Sequence, residues 1–136
     1  MKLTASPLIL DFKTVIVGAS VAGCCTALRL ADNGIKVAII DKQLKLQQTD
    51  KHPHYKKMCS LIIHPSGVEA LNKIGILNAL MKEGAQATYL DVNSQGDRLF
   101  YPFGKKTKAA NIERRILDPA IREKAEQHPN STFFYG

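Results

Sequence analysis

Cysteine is scarce in this chain, and the three present, Cys24, Cys25 and Cys59, are too few and too unevenly placed for a disulfide framework. An odd number of thiols fits a reducing compartment, so a cytoplasmic protein is expected. Long apolar runs are also missing. Nothing approaches the roughly 20 residues of a membrane span, and the patch from Pro7 to Leu10 is too short for the apolar part of a secretion signal. No membrane association is therefore expected. Internal repeats and low-complexity tracts are absent, which excludes solenoid and fibrous architectures. The serines lie in turns and caps, none of them in the strand-and-elbow setting of a nucleophile, so hydrolase chemistry is not expected.

Acidic residues are outnumbered, 12 against 19 Lys and Arg, and the formal net charge is +7. Such a balance suits nucleic acid, anionic membranes or phosphate-bearing ligands. The basic clusters, Lys56-Lys57 and Lys105-Lys106 with Lys108, lack the interleaved aromatic residues that stack on bases, so no nucleic-acid partner is expected. Metal ligands are sparse as well. His52, His54 and Cys59 have no fourth partner, and adjacent helical residues such as Cys24 and Cys25 point about 100° apart. No metal site is expected, and Cys59 is expected to be an inert loop thiol, with a cofactor-side or redox-active thiol as the alternative.

What is present is the composition of one globular domain, 45% hydrophobic and 23% charged. The run Lys13 to Val17 reads as a buried parallel strand ending at Gly18. Val21 to Asp32 reads as a helix, with Gly23, Ala27 and Ala31 on one face and Asn33-Gly34 as its stop. Lys36 to Ile40 is a second buried strand, followed by a polar loop to about residue 60. Ser66-x-x-Glu69 predicts a capping box opening a helix to about Ile74, Gly75 breaks it, and Ile76 to Lys82 resumes. Ala87 to Asn93 and Arg98 to Tyr101 predict a hairpin about Ser94-Gln95-Gly96-Asp97. Asp118-Pro119 predicts an N-cap and first helical residue, and Ser131 to Tyr135 a third parallel strand.

The chemistry concentrates in the first turn. Gly18-Ala19-Ser20-Val21-Ala22-Gly23 follows G-x-G-x-x-G except for Ser20 at the middle glycine. Gly18 permits a sharp turn, Ser20 is small enough for backbone amides to approach a pyrophosphate, and Gly23 lets the helix lie close to the sheet. The helix N-terminus offers its unpaired amides to the anion. Asp41 ends the second strand about 20 residues further on, where a carboxylate accepts hydrogen bonds from ribose hydroxyls and repels a 2′-phosphate. A dinucleotide other than NADP is the expectation, with a purely structural glycine turn as the alternative. Dehydrogenase domains alternate strand and helix without pause, whereas here about ninety residues separate the second and third parallel strands.

Three stretches then carry a resemblance: VIVGASVAGCCTALRLADNGIKVAIIDK, HPSGVEALNKIGI and ERRILDPAIREKA. Together they resemble the FAD-binding domain of aromatic-ring hydroxylases and related flavoprotein monooxygenases. Lys57-Met58-Cys59 with Pro65 and Gly67 is also similar to a segment of geranylgeranyl-reductase-like and halogenase-like flavoproteins, with Ser60 where those have glycine. The resemblance implies an α/β fold of glutathione-reductase-like, Rossmann-type FAD/NAD(P)-binding topology: a parallel sheet with a small antiparallel hairpin, incomplete at its C-terminus. It divides 1–136 into a βαβ ADP-binding unit at 13–41, a helical insertion and hairpin at 60–104, and a crossover helix with the third strand at 112–136. By position, Gly18, Ala19, Ser20, Val21, Ala22, Gly23, Asp41 and Lys42 hold the ADP half of FAD. The resemblance implies that the second stretch lines the region near the flavin and that Arg114, by position, contacts the cofactor, with Arg115 as the alternative. The implied activity is hydroxylation of a small organic substrate with NAD(P)H as electron donor. A dinucleotide-binding module without turnover, a flavin-dependent reductase or halogenase, and an NAD-binding domain are the alternatives. Catalytic residues, substrate and oligomeric state are left open.

Overall fold

The computed structural model describes residues 11–42, 61–88, 90–101 and 108–136. In chain order the elements are β1 (Thr14–Val17), α1 (Val21–Asp32), β2 (Val37–Asp41), β3 (Ile62–Ile63), α2 (Pro65–Lys73), α3 (Leu77–Lys82), β4 (Gln86–Thr88), β5 (Leu90–Ser94), β6 (Asp97–Tyr101), β7 (Ala109–Asn111), α4 (Arg114–Glu126) and β8 (Ser131–Tyr135). The β-branched run at 14–17 and the apolar run at 37–41 pair in parallel, and β8 joins on the far side of β2. The order β1-β2-β8 puts β2 in the centre and its terminal Asp41 opposite Tyr135.

Period-two alternation decides which face of this sheet is covered. Ile16, Val37, Ile39 and Phe133 pack into one apolar core with Cys24, Ala27 and Leu28 of α1 and Leu117, Ile121 and Ala125 of α4. Small residues on α1 let the two helices approach: Ala27, Ala31 and Ala125 are fully covered. On the opposite face Val17 is 84% and Val15 56% exposed, with Ile40 and Phe134 partly exposed beside them, while Ala38 of the central strand is buried. Phe12 sets its ring edge-on against Phe134, with centroids 5.9 Å apart.

The insertion between β2 and α4 builds a second sheet, β3-β7-β4, antiparallel throughout. Strand β7 has no expected counterpart in the sequence reading. Its Ala109 and Ala110 are buried, and Ala110 faces both Ile63 and Ala87. The predicted hairpin forms as β5 and β6, but Ala87 and Thr88 belong to β4, drawn away by pairing with β7. Its turn is also tighter than expected. Ser94 pairs with Asp97, leaving Gln95 and Gly96, both at positive φ (53° and 93°), as a two-residue turn.

Two helix starts differ from expectation. Ser66 does not cap α2. His64, in extended backbone, is the cap, and its Nδ1 accepts from the Ser66 amide at 3.4 Å. Pro65 takes the first helical position, which its fixed φ and missing N–H suit, so Glu69 falls beyond the third position that a capping box needs. Likewise Asp118 does not cap α4. The helix begins one turn earlier, after Glu113, and Pro119 lies inside it. Burial of Leu117 and the fork between Arg114 and Asp118 extend the helix upstream of the proline. The expected loop at 43–60, with His52, His54 and Cys59, lies outside the described residues.

Candidate functional site

The turn from β1 into α1 is held by backbone bonds before any ligand is considered. Gly18 has φ +101°, a conformation only glycine adopts without strain, and its amide donates to Ile40 O at 2.7 Å. A Cβ built on Gly18 meets nothing within 4 Å, so the space above the turn is open. Gly23 is the reverse case. Its backbone is ordinary, but a Cβ would lie 1.9 Å from Gly18 O and 3.4 Å from Ile16 Cγ2. The first glycine therefore shapes the turn, and the last lets α1 rest on it.

Ser20 caps α1 in extended backbone and makes no side-chain cap bond. The first helical bond runs from the Cys24 amide to Ser20 O at 2.9 Å. The amides of Val21, Ala22 and Gly23 precede it and have no acceptor within the helix. They stand at the positive end of a 12-residue helix without an acid in its first turn. Backbone N–H groups, small side chains and a positive dipole end make a cradle for a diphosphate.

Asp41 stands beside this cradle, 8% exposed. Its Oδ2 accepts from the Ala19 amide at 2.7 Å and from Arg122 Nη2 at 3.1 Å. The same Nη2 donates to Ala19 O at 2.9 Å, and the Cys24 thiol lies 3.4 Å from that carbonyl. Ala19 thus turns its amide to the carboxylate and away from an anion at the helix end. Arg122, 7% exposed, is the residue that sequence reasoning missed. On a helix whose buried stripe runs Leu117, Ile121, Ala125, it reads as the flank of an apolar face, and only the fold brings it to β2. Its Nη1 is buried with no hydrogen-bond partner among the described residues.

Two thiols of α1 and one tyrosine of β8 hold their protons more tightly than usual. Burial pushes the Cys24 thiol up to about 12, against a smaller opposing pull from Arg122. Cys25, half-buried, is raised for the same reason. The Tyr135 hydroxyl donates to Glu126, and burial together with that bond raises its pKa. Both shifts favour the neutral thiol, the less nucleophilic form. Lys42 follows Asp41 on the exposed side of the strand end.

Arg114 opens α4 and forks onto Asp118, at 2.5 Å from Nε to Oδ1 and 2.7 Å from Nη2 to Oδ2. Arg115 pairs instead with Glu113 and is 63% exposed, whereas Arg114 is 23% exposed. The two arginines of the doublet thus have different environments. The fold does not bring Arg114 into the bonded group formed by Ala19, Asp41 and Arg122. Among the described residues no three His, Cys, Asp or Glu side chains gather for a metal ion. No helix among them is long and apolar enough to cross a membrane.

A dinucleotide suits these residues: amides and a dipole end for the diphosphate, and a buried carboxylate one strand over for a ribose. Comparison with known proteins agrees. Residues 11–135 match the family described as FAD binding domain. The chain is 33% identical over 121 residues to methylenetetrahydrofolate–tRNA-(uracil-5-)-methyltransferase TrmFO of Staphylococcus haemolyticus, covering 86% of this chain and 25% of that protein. It is 27% identical over 130 residues to kynurenine 3-monooxygenase of Yarrowia lipolytica, covering 90% of this chain and 27% of that one. The fold is shared with the crystal structure of pqsL, a probable FAD-dependent monooxygenase from Pseudomonas aeruginosa, at a TM-score of 0.71 and 16% identity, covering 91% and 32% of the two chains. The chain spans about a quarter of the length of the curated relatives it matches.

Proposed function

The chain belongs to the FAD binding domain family, and from that premise we propose that it holds the ADP portion of FAD in a flavin-dependent oxidoreductase of the monooxygenase kind. The observation that carries this reading is the coupling of Asp41 to the Gly18 turn through the Ala19 amide. One peptide unit thereby sets the distance between the carboxylate and the helix end, the two features that recognise ribose and diphosphate. Gly18, Ser20, Val21, Ala22 and Gly23 shape the cradle, Ala19 anchors the carboxylate, and Lys42, next to Asp41, supplies positive charge for the cofactor's anionic groups, while Arg114, held by Asp118 at the start of α4, would contact the cofactor away from this group. FAD supplies the redox chemistry when bound, and the protein contributes binding, orientation and electrostatics.

For the whole protein the reading extends to NAD(P)H as electron donor and a small organic molecule as substrate. The relatives named above match this chain over most of its length yet differ in the reaction their names describe. On this reading residues 11–135 carry cofactor binding, in line with the family they match. A test is competition: FAD binding by the purified chain, followed by flavin fluorescence, is expected to be displaced by ADP and not by FMN. Displacement by FMN with ADP inert would move the site to the flavin end and refute the assignment.

A further inference from the structure

We propose that Arg122 is a positioning residue for the ribose of the bound nucleotide, acting through Asp41; this rests on the reading that the Gly18 turn and Asp41 hold the ADP portion of a dinucleotide. Arg122 lies 81 positions from Asp41 and 103 from Ala19, and α4 delivers it to both. One nitrogen, Nη2, donates to Ala19 O at 2.9 Å and to Asp41 Oδ2 at 3.1 Å, while the Ala19 amide donates to the same Oδ2 at 2.7 Å. The carboxylate is thus tied to both polar groups of Ala19, to its N–H directly and to its C=O through the guanidinium.

A planar guanidinium presents its donors in a fixed fork, so this bridge sets an orientation as well as a charge. Without it, Oδ2 keeps the Ala19 amide, and the Ala19 carbonyl keeps only a thiol at 3.4 Å, which is a weak donor. A buried carboxylate losing this partner reorients, which removes an acceptor from the ribose. Arg122 is itself 7% exposed, with its side chain packed beneath the strand end, so its influence on a ligand passes through Asp41.

A merely structural ion pair affects stability, whereas a positioning residue also affects discrimination at the ribose. Calorimetric titration of the purified chain with ADP and with 2′-deoxy-ADP separates the two. Wild type is expected to prefer ADP on the order of tenfold, the worth of a charge-assisted hydrogen bond to the 2′-hydroxyl. Arg122→Met is expected to bring that ratio near one. Arg122→Lys keeps the charge without the planar fork and is expected to fall between. Should Arg122→Met fail to fold, Arg122→Lys decides, and an undiminished ratio there overturns the proposal. Asp41→Ala guards the underlying reading. If Asp41→Ala abolishes discrimination and both Arg122 variants retain it, the ribose site stands and the role of Arg122 falls. If wild type does not discriminate, or Asp41→Ala leaves discrimination intact, the ribose assignment falls and the proposal with it.

Discussion

At the residue scale, the two glycines of the first turn separate two physical requirements that the sequence pattern writes with one letter. Gly18 answers to its φ of +101°, and Gly23 answers to the 1.9 Å that a Cβ would leave to Gly18 O. Gly23→Ala is therefore expected to lift α1 from the turn, at a cost of about 1–3 kcal/mol as for an overpacked core. A lowered melting temperature with weakened FAD binding checks this, and an unchanged pair of values would contradict it. Cys24 gives a pH prediction. Its thiol is held neutral in the fold up to about 12, against an ordinary value of 9.0. Above pH 9 the unfolded chain loses this proton and the folded chain keeps it, so the stabilisation present below pH 9 is lost as pH rises towards 12. Thermal melts between pH 8 and 11 are expected to fall more steeply for the native chain than for Cys24→Ala. Arg122 shows why part of the site was illegible: a cation next to Ile121 carries no local mark of the strand end it will reach.

At the element scale, legibility followed the range of the forces involved. The bounds of α1 and β8 could be read because local signals set them: the glycine turn and Asn33-Gly34 for the helix, and an isolated aromatic and β-branched run for the strand. The start of α4 was misread because Asp118-Pro119 is a strong local signal that tertiary packing overrides. Leu117 lies in the core, and the Arg114 fork occupies the carboxylate that would otherwise cap. β7 was missed because a short run of small residues has no period, and its partners β3 and β4 are remote in sequence. Pro119 inside α4 has no N–H to give the Arg115 carbonyl. Pro119→Ala is expected to stabilise the chain by about 1–3 kcal/mol, since the helix regains that bond and loses the ring clash. Denaturant unfolding measures it, and destabilisation would mean that the proline fits a bend that α4 needs. Leu117→Ala and Ile121→Ala, by contrast, are each expected to cost about 2–5 kcal/mol, because both side chains fill the core between α4 and the sheet.

At the scale of the whole molecule, a parallel sheet carries the nucleotide signature at one end, and an antiparallel insertion separates its second and third strands. The covered face of that sheet, with α1 and α4 upon it, fixes the distance between the helix end, Asp41 and Arg122, so fold and site are one set of contacts. The family match over residues 11–135 covers both. If Asp41 is the ribose acceptor, as proposed, Asp41→Ala is expected to lower FAD affinity about tenfold without abolishing it. Titration of the purified chain with FAD and with NAD, for wild type and Gly18→Val, tests the central claim most directly. Saturable binding of FAD in preference to NAD, lost in Gly18→Val while circular dichroism shows the fold retained, is the predicted result. A folded wild-type chain that binds neither ligand, or a variant that binds FAD as well as wild type does, would contradict the account.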